Sequence, residues 1–378
     1  MRIVMQSFHP PRRLLLGPGP SDVPRRILDA LARPTIGHLD PAYVGMMEEL
    51  KTLLRYAFKT ANPLTIPVSA PGSAGMEACF VNLVEPGDTV IVCRNGVFGG
   101  RMRENVVRAG ASAVMVDDEF GRPVDPEKVE AALRANPGAK ALAFVHAETS
   151  TGARSDAATL CRLAREHGAL SIVDTVTSLG GCEVDVDGWG ADAVYSGSQK
   201  CLSAPPGLSP VTFSPRATET VKARKVPVQS WFLDMSLVMA YWDGTGGRSY
   251  HHTAPINMTY ALHESLLILH EEGLEAAWAR HQANHERLRA GLQTMGLALL
   301  GDDDGARLPQ LNPVVVPEGV DEAGVRRALL DDHGIEIGAG LGPLAGKIWR
   351  IGLMGASSRP EAVDRLLGAL AQALGRSR

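Results

Sequence analysis

ALAFVHAETSTG (residues 141–152), LSIVDTVTSLGG (170–181) and ADAVYSGSQKCLSAPPG (191–207) decide the fold. Each opens on a short run that is apolar on both faces and ends in small or polar residues. Similar runs lie at Thr89–Cys93, Ala113–Val116 and Val211–Ser214. Helical patterns fall between them, near 76–84, 99–109, 126–135, 155–168 and 216–223. Strands buried on both faces and separated by helices predict an α/β fold with a mostly parallel central sheet flanked by helices.

Working outward, the first 20 residues read as an extended arm, because Gly17-Pro18-Gly19-Pro20 suits neither a helix interior nor a central strand. Ser21 is placed to cap a helix carrying Val23, Ile27 and Leu31, and a second helix is expected from Ala42 to Lys59. After Pro255 the texture changes. A long helical stretch covers Thr259–Met295, with a break expected near Gly273. Then come strand-like runs at Leu297–Leu300, Pro313–Val316, Ile335–Gly338 and Ile348–Gly352, a helix near 321–333 and a final helix from Arg359 to Leu374. The expected organisation is an arm (1–21), a large domain (22–272) and a smaller C-terminal α+β domain (273–378). Asp302-Asp303-Asp304-Gly305 reads as an exposed loop.

The chain has 378 residues, 45% of them hydrophobic, with a formal net charge of −4. That composition excludes a disordered chain, and the small negative charge gives no electrostatic basis for nucleic acid as a partner. No window reaches the ~18–20 uninterrupted apolar residues of a membrane span. Five cysteines, an odd number without metal-ligand spacing, read as reduced thiols in a cytoplasmic protein. Leu14-Leu15-Leu16 stops at once in GPGP, too short for a secretory signal, and the terminal Gly-Arg-Ser-Arg is not a peroxisomal S-K-L address.

Ligands of α/β sheets bind beyond the carboxyl ends of the strands. Three strands there deliver Glu148-Thr149-Ser150-Thr151-Gly152, Asp174, and Ser196-Gly197-Ser198-Gln199-Lys200. A lysine at a buried strand end is desolvated, so its amine pKa falls and it can form a Schiff base. Alone, Lys200 could be a loop lysine and Asp174 a helix cap. Together, a lysine for an aldehyde and a carboxylate for a pyridinium nitrogen match the needs of pyridoxal phosphate. Ser69-Ala70-Pro71-Gly72-Ser73-Ala74-Gly75-Met76-Glu77 is small, Gly-rich and opens a helix, which suits a phosphate; an ordinary loop-to-helix turn is the plainer reading. Tyr250-His251-His252-Thr253 gives no metal site, since adjacent histidines cannot share a helix face.

SGSQK with the following CLSAPPG resembles the lysine motif of the class V (fold type I) aminotransferases, and more narrowly the alanine–glyoxylate/serine–pyruvate group. LLGPGPS (15–21), ETSTG (148–152), VDTVTSLGG (173–181), YHHT (250–253) and GPLAGKIWRIG (342–352) match in the same order, so the resemblance covers nearly the whole chain. It implies the cofactor pyridoxal phosphate, held as a Schiff base on Lys200, which also shuttles the proton. Asp174 would pair with the pyridine nitrogen, Val176 and Phe98 would flank the ring, and Thr149 would meet the ring hydroxyl. Gly72, Ser73 and Gln199 would hold the phosphate, while Tyr250 and Thr253 would reach the phosphate in a neighbouring subunit, making the protein a homodimer over which the proline-rich arm could drape. Arg350 would clamp the substrate carboxylate; an edge-strand salt bridge is its plain alternative.

The implied reaction is ping-pong transamination between a small amino acid, alanine or serine, and a small keto acid, glyoxylate or pyruvate. Ureidoglycine–glyoxylate aminotransferases are close relatives in this resemblance. They use one Gln and one Asn for the ureido group; this chain has His38 at the first position, and Asn257 is a candidate for the second. A class V lyase or desulfurase would need a reactive cysteine on a mobile loop, and none lies within 335–355. A scaffold that binds the cofactor without turnover is the non-enzymatic alternative, against which the full set Lys200, Asp174 and Arg350 weighs.

Overall fold

The computed structural model describes residues 5–242, 248–301 and 304–376. Asp302 and Asp303 of the acidic loop and Ser377 and Arg378 lie outside the described residues. The central sheet has seven strands: β1 (Leu64–Val68), β2 (Thr89–Arg94), β3 (Ser112–Asp117), β4 (Ala141–Val145), β5 (Leu170–Asp174), β6 (Ala193–Tyr195) and β7 (Ser209–Phe213). Their spatial order is β1-β7-β6-β5-β4-β2-β3. Only β7 runs against its neighbours, pairing antiparallel with both β1 and β6. The other pairs are parallel. β4 and β5 are buried along their whole length, which is why they carry no polar alternation.

β1 escaped the sequence reading. Its run is short and interrupted by Pro67, which stands opposite Pro210 of β7. β1 is an edge strand, where a missing N–H is tolerated. It leads directly into the helix Gly72–Leu83.

The expected break at Gly273 is present, between helices Ile256–Glu272 and Leu274–Thr294. Gly273 has φ +87°, a left-handed conformation that glycine adopts without steric cost. Beyond it, β8 (Leu311–Val315), β9 (Gly338–Ala339) and β10 (Ile348–Gly352) form a second sheet in the order β8-β10-β9. A separate apolar core forms here around Leu288, Val314, Leu329, Trp349, Ile351 and Leu366.

Three expectations need correction. Ser21 caps no helix: the first helix is Arg25–Leu31, entered from Pro24. The Ser21 hydroxyl instead donates to Lys200 O at 2.7 Å, and its N–H donates to Gln199 O at 3.0 Å. The run 335–338 is not one strand. Ile335–Glu336 pairs parallel with Leu14–Leu15, while Gly338–Ala339 joins β10. Leu297–Leu300 makes only an isolated bridge, Leu299 to Val314. Residues 14–20 pack against their own chain. Leu14 and Leu16 are buried in the second core, and Pro18 O accepts from Lys200 Nζ. Among the described residues no helix is long and apolar enough to cross a membrane.

Candidate active site

The carboxyl ends of β4, β5 and β6 open onto a cavity of about 190 Å³. Gly72, Ser73, Phe98, Thr149, Asp174, Val176, Gln199 and Lys200 all line it, so eight of the sequence-selected residues converge on one volume. Pro71, Met76, Arg101 and Tyr195 complete the lining.

Asp174 ends β5 and is buried. Its Oδ1 accepts from the Val176 N–H and its Oδ2 from the Tyr195 hydroxyl, both at 2.8 Å. Burial pushes its pKa up to about 6 despite these donors. A buried carboxylate of this kind gains most from a facing cation. Tyr195 went unremarked in the sequence. Its position at the end of β6, just ahead of SGSQK, was the available signal.

Lys200 lies in the loop after β6. Burial, then the nearby Arg350 guanidinium, brings its pKa down to about 8. The arm packs directly on it: a Cβ on Gly19, whose φ is +102°, would lie 2.7 Å from Lys200 Nζ. Gly19 of GPGP therefore admits the lysine, a constraint that only the folded chain reveals.

Arg350 sits on β10 and is 7% exposed. Its Nε donates to Ala339 O at 2.7 Å and one terminal nitrogen to Thr149 O at 3.3 Å. Both partners are backbone carbonyls. Among the described residues no carboxylate pairs with it, so the edge-strand salt bridge is absent. Burial lowers its pKa to about 10, which leaves it protonated near neutrality. The Glu148 carboxylate acts on it only through space, so a buried guanidinium that pairs with no carboxylate is a site for one.

The ETSTG segment ties these parts together. Glu148 is fully buried, and burial raises its pKa to about 7. Its carboxylate accepts from the Ser150 hydroxyl at 2.5 Å and from the Phe98 N–H at 3.2 Å, while Ser150 Oγ accepts from the Val97 N–H at 2.9 Å. Glu148 and Ser150 thus cap the helix Val97–Arg108 that presents Phe98. The Arg101 guanidinium lies 4.7 Å from the Phe98 ring centre. Arg101 was missed, although it lies one helical turn beyond Phe98.

Four selected residues, Tyr250, Thr253, His38 and Asn257, lie away from this cavity. Tyr250 is 60% exposed, its hydroxyl 3.4 Å from Thr253 Oγ1. The His38 ring centre is 5.2 Å from that of Tyr250. Asn257 donates to Leu31 O and Arg33 O, and its Oδ1 accepts from the Thr35 hydroxyl. Its amide is committed within the chain, which removes it as a ureido contact. All five cysteines are buried and unpaired, so no exposed thiol is available for desulfurase chemistry. Among the described residues no cluster of three metal-ligating side chains occurs.

These features fit pyridoxal phosphate. The Gly72–Leu83 helix starts without a side-chain cap, presenting its first turn to an anion. A Cβ on Gly72 would lie 3.3 Å from Ser196 O, so glycine keeps this approach open. Gln199 lines the same cavity, where its side-chain NH2 is the group able to donate to a phosphate.

Comparison with known proteins agrees. The family model "Aminotransferase class-V" matches residues 15–364. A solved alanine–glyoxylate aminotransferase from Nostoc sp. superposes with a TM-score of 0.96 at 48% identity, covering 98% of each chain. The alanine–glyoxylate aminotransferase of Oryctolagus cuniculus is 40% identical over 96% of this chain and 93% of its own length. The (S)-ureidoglycine–glyoxylate transaminase of Bacillus subtilis is 39% identical over 95% of this chain and 90% of its own.

Proposed function

Because the chain belongs to the class V aminotransferases, whose cofactor is pyridoxal phosphate, we propose that it transfers the amino group of alanine or serine to glyoxylate or pyruvate. The observation that carries this reading is Arg350, buried, charged and bonded only to backbone carbonyls beside Lys200. It calls for a substrate carboxylate. The relatives in Nostoc sp. and Oryctolagus cuniculus carry the same small-substrate name.

The cofactor, when bound, supplies an electron sink for the charge left on the substrate Cα. Asp174 holds positive charge on the ring nitrogen, and the Tyr195 and Val176 donors keep that carboxylate oriented. Phe98 and Val176 would give the ring apolar surface, and Thr149 would hold its hydroxyl. The Pro71–Ser73 turn and Gln199 receive the phosphate. Lys200 Nζ takes the proton from Cα, a task suited by a pKa near 8. Arg350 fixes the carboxylate, and so sets which Cα bond faces Lys200.

Tyr250 and Thr253, exposed and outside their own cavity, are proposed to complete the phosphate site of a second copy, with His38 at the rim on the substrate side. A two-fold homodimer is the simplest closed arrangement that supplies them. The break at Gly273 is taken as the boundary between large and small domains. The buried, unpaired thiols support a cytoplasmic setting.

Ureidoglycine is the less favoured donor, because His38 replaces an amide and Asn257 is engaged elsewhere. The test is an absorbance titration of the holoenzyme with L-alanine, L-serine and ureidoglycine, each without acceptor. L-Alanine or L-serine should bleach the visible band of the lysine-bound cofactor. Bleaching by ureidoglycine alone would overturn the substrate reading, and no visible band after adding pyridoxal phosphate would overturn the site.

A further inference from the structure

The YHHT segment does more than present Tyr250 and Thr253. His251 is buried and stacks on Trp231, with ring centres 4.4 Å apart. Its Nε2 lies 3.3 Å from Trp231 O. Its Nδ1 lies 2.7 Å from His252 Nδ1, and His252 Nε2 lies 2.7 Å from Ser69 Oγ. Ser69 follows β1 directly and precedes the Pro71–Ser73 turn by two residues.

One end of this chain fixes the whole. A carbonyl oxygen only accepts, so His251 Nε2 carries a proton. In the neutral imidazole Nδ1 is then bare and accepts from His252 Nδ1–H. That leaves His252 Nε2 bare, and the Ser69 hydroxyl must donate to it. Every link runs in one direction, from Ser69 to Trp231 O. Burial above all lowers the His252 pKa to about 4, in keeping with a neutral ring.

We propose that His252, locked in one tautomer by His251, is a positioning residue for the cofactor phosphate: by accepting the Ser69 hydroxyl proton it anchors the end of β1 from which the Pro71–Ser73 turn is built. The inference rests on that turn being the phosphate cup. It gives the two histidines a role that neither metal binding nor contact with a neighbouring subunit supplies.

The two ring nitrogens can be separated by substitution. His252→Asn keeps a donor near the Nδ1 position and loses the Ser69 contact. His252→Gln places an amide oxygen near the Nε2 position and keeps it. Dissociation constants for pyridoxal phosphate and for pyridoxal, which lacks the phosphate, are measured by absorbance titration of the apoprotein. Loss of one neutral hydrogen bond predicts about fivefold weaker pyridoxal phosphate binding for His252→Asn and for Ser69→Ala. Pyridoxal binding should be unchanged, the double variant no worse than either single one, and His252→Gln close to the parent.

Unchanged pyridoxal phosphate affinity in both His252→Asn and Ser69→Ala would overturn the inference, as would equal weakening of both ligands or no rescue by His252→Gln. If the parent itself failed to prefer pyridoxal phosphate over pyridoxal, the cup assignment would fall, and this inference with it.

Discussion

Replacing Arg350 by lysine probes the substrate clamp most directly. The guanidinium has five N–H donors. One goes to Ala339 O and one to Thr149 O, leaving three for a substrate carboxylate. A lysine has three donors in all and a single nitrogen, so it cannot span two carboxylate oxygens while holding both carbonyls. The loss is at least one charge-assisted hydrogen bond of about 1.5–3 kcal/mol, or roughly 10–150-fold in kcat/KM. The assay compares L-alanine with ethylamine, which lacks the carboxylate, in single-turnover loss of the visible cofactor band. Arg350→Lys should slow L-alanine by that factor and leave ethylamine within about twofold. Retention of the full rate with L-alanine, or equal slowing of both amines, would refute the clamp.

Three further outcomes follow from the same geometry. Tyr195→Phe removes a 2.8 Å hydrogen bond that stabilises the Asp174 anion, and should raise the carboxyl pKa from about 6 by ~1–2 units. Because the anion is the working form, activity should then be lost at higher pH on the acidic side, as a kcat/KM profile would show. Lys200 must be unprotonated to react with the cofactor aldehyde. With a pKa of about 8 rather than 10.5, its neutral fraction at pH 7.5 is about one quarter instead of ~0.1%. The rate of pyridoxal phosphate uptake by the apoprotein, followed by stopped-flow absorbance, should climb about tenfold per pH unit below 8 and level off above it; a midpoint near 10.5 would contradict the buried setting. The five thiols should resist Ellman's reagent in the folded protein and all react in denaturant, since burial above all raises the pKa of Cys201 to about 12 and also lifts those of Cys79, Cys93, Cys161 and Cys182.

Much of the sheet could be read directly because its strands are continuous apolar runs. β4 and β5 are buried on both faces, and that demand is written into ALAFV and LSIVD residue by residue. β1 could not be read so, because its Pro67 is tolerated only by its place at the sheet edge, which no local pattern announces. The site residues followed from strand ends: Thr149, Asp174 and Lys200 each come just after a run that stops, and such ends meet at one edge of a parallel sheet. Ser21 misled because its spacing suited a cap while its hydroxyl was engaged by Lys200 O, 179 positions away.

The sequence by itself determined the layered α/β class and the break at Gly273, and singled out Lys200, Asp174 and Arg350 as candidates, since each depends on local periodicity, residue chemistry or a motif in continuous order. Tertiary structure alone decided that the GPGP arm closes over Lys200, that Glu148 and Ser150 cap the helix bearing Phe98, that Arg350 pairs with no carboxylate, and that His252 faces Ser69. Those relations join residues tens to hundreds of positions apart. Burial and hydrogen-bond direction, which set the pKa of Lys200 and the tautomer of His252, arise only when the distant segments exclude water together.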